Sequence, residues 1–295
     1  MILNDTMLAS LKESKPLEID TSPNGIEYST DGLLLSITQG NTMKLFSALS
    51  GSTQNIIHLQ NIQKYLFVYP NTIVHTACST MQLLSVFDNK YIRTFNGHKS
   101  QVYALSVCTI EDSIISSSNE CINYWDIRKK NPLYKINAAN AMGCISSSYD
   151  YALLANGSVL KIYDKRNTKG PRSTSTIPEK NYMAISYSPD ASHLIISDGK
   201  THLFVDQDGV TKSTLTLESK SSGCITPDSS HFLLYEKNHM FAYNIRTNKK
   251  EYEFEAPGIE DTKIRFNPCY AQFAVSSSKF INIWAIEDHT DELPI

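Results

Sequence analysis

Cys121-Ile122-Asn123-Tyr124-Trp125-Asp126-Ile127-Arg128 is the stretch that decides the fold. It is a short β-rich run closing on an aromatic–acid step, and it follows Ser113-Ile114-Ile115-Ser116-Ser117-Ser118 across an Asn119-Glu120 turn. The closing step recurs along the chain, as Leu45-Phe46-Ser47, Leu83-Leu84-Ser85, Ile162-Tyr163-Asp164, Phe204-Val205-Asp206, Ala242-Tyr243-Asn244 and Ile283-Trp284-Ala285. The middle residues stand at 46, 84, 125, 163, 205, 243 and 284, so the intervals are 38, 41, 38, 42, 38 and 41. A unit this short cannot bury its apolar face alone and must stack on its neighbours.

Around Trp125 the unit resolves into four strands. Val102–Val107 reads as the first, 113–118 as the second, 121–128 as the third and Leu133–Ile136 as the fourth. Strict alternation is blurred, as expected where both faces of a sheet are packed. Other units keep the turn before their second strand: Ser29-Thr30-Asp31-Gly32, Ser188-Pro189-Asp190, Thr226-Pro227-Asp228 and Asn267-Pro268. Proline presets φ in such a turn and aspartate bonds its own backbone nearby. A period of about 40–45 residues with Gly-His and Trp-Asp marks is that of WD40-type blades. The chain therefore predicts an all-β, seven-bladed WD40 β-propeller forming one domain over 1–286. Its blades are expected near 24–50, 62–96, 100–137, 142–178, 181–217, 222–255 and 260–286, with a short acidic tail at 287–295. The last unit lacks an outer strand of its own. An N-terminal strand over 6–12, around Met7-Leu8-Ala9-Ser10-Leu11, is predicted to close it and remove an exposed edge.

The totals narrow the function classes. Of 295 residues, 41% are hydrophobic and 19% charged, enough for a packed core and unlike a disordered chain. A net charge of −3 supplies no global attraction to nucleic acid, and none is expected as a direct partner. The start of the chain lacks the pattern of a secretory signal, and no apolar run approaches bilayer-spanning length, so no membrane partner is expected. Cys78, Cys108, Cys121, Cys144, Cys224 and Cys269 form no C-x-x-C pair and read as reduced, mostly buried thiols.

The chemistry-bearing residues point to bracing and binding. In blades of this kind a histidine bridges a strand hydroxyl and a turn carboxylate, while a serine accepts from the tryptophan N–H. His98, Ser118 and Trp125 are predicted to form that buried network, with Asn119-Glu120 where the carboxylate usually stands. The remaining histidines show no metal-ligating spacing, and no nucleophile elbow, P-loop or dinucleotide fingerprint occurs. The expectation is no catalytic residue, no metal and no cofactor. Lys90, Arg93, Lys99, Arg128 and Arg166 are the candidates for gripping a partner or phosphopeptide through charge-assisted bonds.

Leu84-Ser85-Val86-Phe87-Asp88-Asn89-Lys90-Tyr91-Ile92-Arg93-Thr94-Phe95-Asn96-Gly97-His98 closely resembles the WD-repeat subunit shared by COMPASS-type (Set1) histone methyltransferases and the cleavage/polyadenylation machinery. The likeness continues through Val102-Tyr103-Ala104-Leu105-Ser106, Trp125-Asp126-Ile127-Arg128, Ile162-Tyr163-Asp164-Lys165-Arg166, Lys169-Gly170-Pro171 and Arg265-Phe266-Asn267-Pro268. The resemblance implies a nuclear, non-catalytic scaffold. Its partners would be a SET-domain methyltransferase catalytic subunit, subunits of the cleavage/polyadenylation or phosphatase-containing termination complexes, and the phosphorylated tail of RNA polymerase II. Arg128 and Arg166 hold matching positions in successive repeats. Two such boxes resemble the docking motif of WD40 substrate receptors of cullin-RING ubiquitin ligases, which is the alternative expectation.

Overall fold

The computed structural model describes residues 5–14, 16–148, 150–155, 157–167, 170–256 and 263–286. Six of the predicted repeats are four-stranded antiparallel sheets whose strands pair in chain order, spanning 25–58, 62–96, 102–137, 142–176, 184–216 and 223–255. The seventh sheet joins Lys263–Phe266, Gln272–Ser276 and Phe280–Ala285 to two short N-terminal strands, Lys12–Glu13 and Leu17–Glu18. The fold is all-β, with seven β-propeller blades.

The blades fall into two compact units. One comprises Met1–Leu59 with Ser221–Ile295 and contains blades six, seven and one; the other is Gln60–Lys220 and contains blades two to five. Within each unit, the first strands of successive blades adjoin.

Period two along the strands explains the packing, because successive side chains leave opposite faces. In blade three, Ile114 and Trp125 join Val74, Met81, Leu83 and Phe95 of blade two in one apolar cluster. Their sequence neighbours Ile115 and Tyr124 point the other way, into a cluster with Ala141, Ile145 and Leu153 of blade four. The two central strands of blade three are therefore apolar on both sides, which is why their alternation is hard to read.

The N-terminus completes blade seven, but with other residues than the sequence predicts. Lys12 and Glu13 pair with Ala285 and Trp284, and Leu17 and Glu18 with Ile281 and Phe280. The expected strand over 6–12 instead begins with a short α-helix, Asp5–Ala9. Leu8 in that helix and Leu11 just after it are both buried in one cluster with Phe273 and Trp284. Blade one also runs past its expected limit at 50, since Thr53–His58 forms its fourth strand against Thr42–Ser47. The predicted acidic tail 287–295, the first residues of the predicted seventh blade (260–262) and Lys169 lie outside the described residues.

Candidate protein-interaction site

In each of the six four-stranded blades the turns joining strands one to two and three to four lie at one end, here called the lower end. The turn joining strands two and three lies at the upper end, from which, among blades two to five, the chain passes to the next blade. Blade three carries a polar network at its upper end and a charged surface at its lower end.

The upper network is built from Gly97-His98, Ser116, Ser118, Cys121 and Trp125. Trp125 is fully buried and packs edge-on against Phe95, with ring centroids 5.5 Å apart. Its indole N–H donates to Ser116 Oγ at 2.8 Å. His98 Nε2 lies 2.6 Å from Ser116 Oγ, and Nδ1 lies 2.9 Å from Ser118 Oγ. Ser118 donates to the Cys121 carbonyl at 3.2 Å. One run of protons satisfies every group: indole N–H to Ser116, Ser116 to Nε2, Nδ1–H to Ser118, and Ser118 to the carbonyl. That run requires a neutral imidazole. Burial, with a smaller contribution from Lys135, lowers the His98 pKa to about 4.

The geometry corrects one part of the predicted network and fills another. The indole's acceptor is Ser116, and Ser118 serves the far side of His98. Where a turn carboxylate is expected on the far side of His98, Ser118 stands and passes its own proton to the Cys121 carbonyl. The signal for Ser116 was present: positions 116 and 118 share a strand face, and an imidazole needs two partners. Gly97 is also explained, since a Cβ there would meet the Trp125 ring at 2.7 Å.

Four of the five candidate basic residues stand toward the lower end. Arg128 is clamped on Asp126 through Nε–Oδ1 at 2.9 Å and a second nitrogen to Oδ2 at 3.0 Å. Arg166 repeats this on Asp164, at 2.9 and 2.6 Å. Hydrogen bonding from Arg166 pulls the Asp164 pKa down to about 2, and Arg128 lowers that of Asp126. Both guanidinium groups remain largely exposed. Lys90 is exposed at the start of blade two's fourth strand, opposite Ser85. Arg93 is half-buried, and it donates to the Ile127 carbonyl at 2.7 Å, tying blade two to blade three. Lys99 is exposed in the link after blade two and so belongs to the upper end. The five therefore do not form one cluster.

A second interblade tie lies at this end. Tyr69 donates to Asp112 Oδ1 at 2.5 Å, and burial followed by that carboxylate raises the phenol pKa to about 12. Lys165 pairs with Glu111 of blade three, and Arg172 with Asp150 at 3.0 Å. At the upper end of blades three to five lies a depression of roughly 900 Å³ lined in part by Tyr103, Asn119, Asn140, Lys180 and Met183. Tyr103 donates to the Ala141 carbonyl at 2.7 Å, and Lys180 is held by Asp198 and Thr201, so these groups already serve the fold.

Comparisons with known proteins agree with this architecture. Residues 89–126, which contain Gly97, His98 and Trp125, match the family model described as WD domain, G-beta repeat. The chain is 25% identical to WD repeat-containing protein 82 of Drosophila melanogaster, over 92% of this chain and 93% of that protein. It is 22% identical to Set1 complex component swd2 of Schizosaccharomyces pombe, over 72% of this chain and 68% of that protein. It is 26% identical to COMPASS component SWD2 of Saccharomyces cerevisiae, over 41% and 40% respectively. The chain thus has seven β-propeller blades, one repeat that matches the WD domain, G-beta repeat model and carries the His98–Ser116–Trp125 network, and a likeness to Set1 complex component swd2 and COMPASS component SWD2.

Proposed function

We propose that this protein is a non-catalytic scaffold subunit of a Set1/COMPASS-type histone-tail lysine methyltransferase complex, acting in the nucleus. The observation that carries the reading is the similarity to Set1 complex component swd2 over 72% of the chain. The fold supports it physically. Stacked, rigid blades present preformed rims, and a preordered surface loses little entropy on binding. The bonded His98 network and the ion-paired lower end use the reactive-looking residues for bracing and presentation.

The same scaffold would serve mRNA 3′-end processing and transcription termination, through cleavage/polyadenylation or phosphatase-complex subunits. The phosphorylated tail of RNA polymerase II would be gripped by exposed cations at the lower end among Lys90, Arg128 and Arg166, with Arg93 bracing blade two against blade three there and Lys99 standing apart at the upper end. Affinity purification of the tagged full chain from its native nuclei, followed by mass spectrometry, tests the assignment. A SET-domain methyltransferase is the expected main partner; recovery of neither that subunit nor cleavage-factor subunits rejects the assignment.

A second reading rests on one specific observation, the matched Asp126–Arg128 and Asp164–Arg166 clamps on adjacent blades. Such paired exposed arginines would suit a cullin-RING substrate receptor. Arg128→Glu with Arg166→Glu should then abolish capture of the ligase adaptor, and unchanged capture counts against this reading.

A further inference from the structure

The lower end of blades two and three joins two features that stable, isolated surfaces do not need. Phe87 is 79% exposed, Ile110 75%, Ile92 55% and Tyr91 53%. Phe87 lies in the turn between strands three and four of blade two, and Ile110 in the turn between strands one and two of blade three. Tyr91 and Ile92 begin blade two's fourth strand at a β-bulge, where the register skips from Tyr91–Leu84 to Arg93–Leu83. A bulge on an edge strand re-aims side chains and interrupts pairing. Scattered exposed apolar residues are ordinary, but a concentration at one end of two adjoining blades marks a binding surface.

The charges at this end say what kind of partner fits. Its acidic groups are mostly engaged within the fold: Asp112 by Tyr69, Asp126 by Arg128 and Glu111 by Lys165. Lys90, Lys129 and Lys130 are exposed and carry no ion pair among the described residues, and Asp88 is the exposed acid beside them. Against these three lysines stand Asp88 and the carboxylate of Asp112, which keeps its charge when the neutral Tyr69 phenol donates to it, so the balance facing solvent is positive. The Tyr69–Asp112 and Arg93–Ile127 bonds hold the two blades together beneath it, so the surface is formed before binding.

We infer that this lower surface of blades two and three docks a short acidic segment of a partner protein, anchored by an aromatic or aliphatic side chain between Phe87 and Ile110. Lys90, Lys129 and Lys130 meet the flanking carboxylates. The apolar anchor supplies most of the affinity, since truncation effects concentrate at buried apolar centres, and the lysines steer and select. This inference does not depend on which complex the protein serves.

Selection of a phage-displayed random dodecapeptide library on the full chain tests it. The expected enrichment is of peptides with at least two Asp or Glu residues within a few positions of Phe, Trp, Leu or Ile. Synthetic copies should bind by fluorescence anisotropy, and Phe87→Ala with Ile110→Ala should weaken them at least tenfold. Lys129→Glu with Lys130→Glu should weaken them several-fold and make binding less salt-dependent. All four substitutions are at exposed positions, and circular dichroism with a urea melt confirms that each variant is folded. The inference is overturned by no enrichment, or by enriched peptides that bind the variants as well as the parent chain. It is equally overturned if a phosphoserine peptide without an apolar anchor binds as tightly, or if sedimentation shows this surface buried between two copies of the chain.

Discussion

Blade three and blade six both enclose a histidine whose two ring nitrogens are partnered, yet they do so at opposite ends and with different chemistry. His98 sits at the upper end between two neutral hydroxyls, Ser116 and Ser118. His231 sits at the lower end of blade six, with Nδ1 2.7 Å from Ser230 Oγ and Nε2 2.7 Å from Glu251 Oε2. Blade six's turn is held by Asp228, which accepts from Thr226 at 2.7 Å and Ser230 at 2.7 Å. Blade five builds the same turn with Ser188, Asp190 and Ser192 around His193. A blade with strong repeat marks is braced by a buried neutral chain under its loops. A blade whose marks are worn is braced by a carboxylate turn nearer the solvent. The same architecture is thus stiffened by two devices, one a chain of neutral hydroxyls and imidazole and the other anchored on a partly exposed carboxylate.

The largest expected effect is at the buried device. Trp125→Ala removes a fully buried ring and the N–H that donates to Ser116, and should cost about 3–5 kcal/mol by urea unfolding. If that variant does not fold, Trp125→Phe keeps the ring and removes only the N–H donor, with an expected cost of about 1–3 kcal/mol. A loss at Trp125 no greater than that at Asp228 would break the comparison.

Acidification should separate the two devices next. Burial lowers the pKa of His98 and of His202 to about 4, against an ordinary value of 6.5, and lowers that of His75 as well. Above pH 6.5 these groups are neutral folded or unfolded, and the stability they confer is fully present. As pH falls from 6.5 toward about 4, the unfolded chain binds protons that the folded chain refuses, so stability falls. The urea midpoint should therefore hold steady between about pH 8 and 7 and drop below about 6.5. His98→Gln should lower the midpoint at neutral pH and make the acid slope shallower; an unchanged slope would contradict a neutral buried His98.

Gly97→Ala sharpens the role of the Gly-His pair. The added methyl meets the Trp125 ring at 2.7 Å, and overpacking of that kind costs about 1–3 kcal/mol. The smallest effect is expected at the solvent-side device, where Asp228→Ala removes the acceptor for Thr226 and Ser230 at about 1 kcal/mol, measured by the same melts.

How far the sequence could be read follows the same division. The seven closing steps each fall on the third strand of a blade, and in blade three Tyr124 and Trp125 of that step send side chains to opposite faces. Thr53–His58 escaped because its burial is slight and its residues mostly polar, as suits a fourth strand facing solvent. The N-terminal segment reads as a strand over 6–12, since five apolar or small residues in a row do not reveal a short helix and turn that bury Leu8 and Leu11 together. Lys99 was grouped with Arg128 by charge, and only the strand register separates the upper from the lower end. The Ser116 acceptor was within reach of period-two reasoning; the Phe87 and Ile110 surface was not, because exposure of a turn residue depends on what packs above it.

Co-expression of the full chain with the Set1-type catalytic subunit of its own organism, followed by gel filtration at micromolar concentration, tests the scaffold role most directly. Stoichiometric co-elution of the two proteins in one peak, stable to moderate salt, is the predicted result. Separate elution of two folded proteins would contradict it.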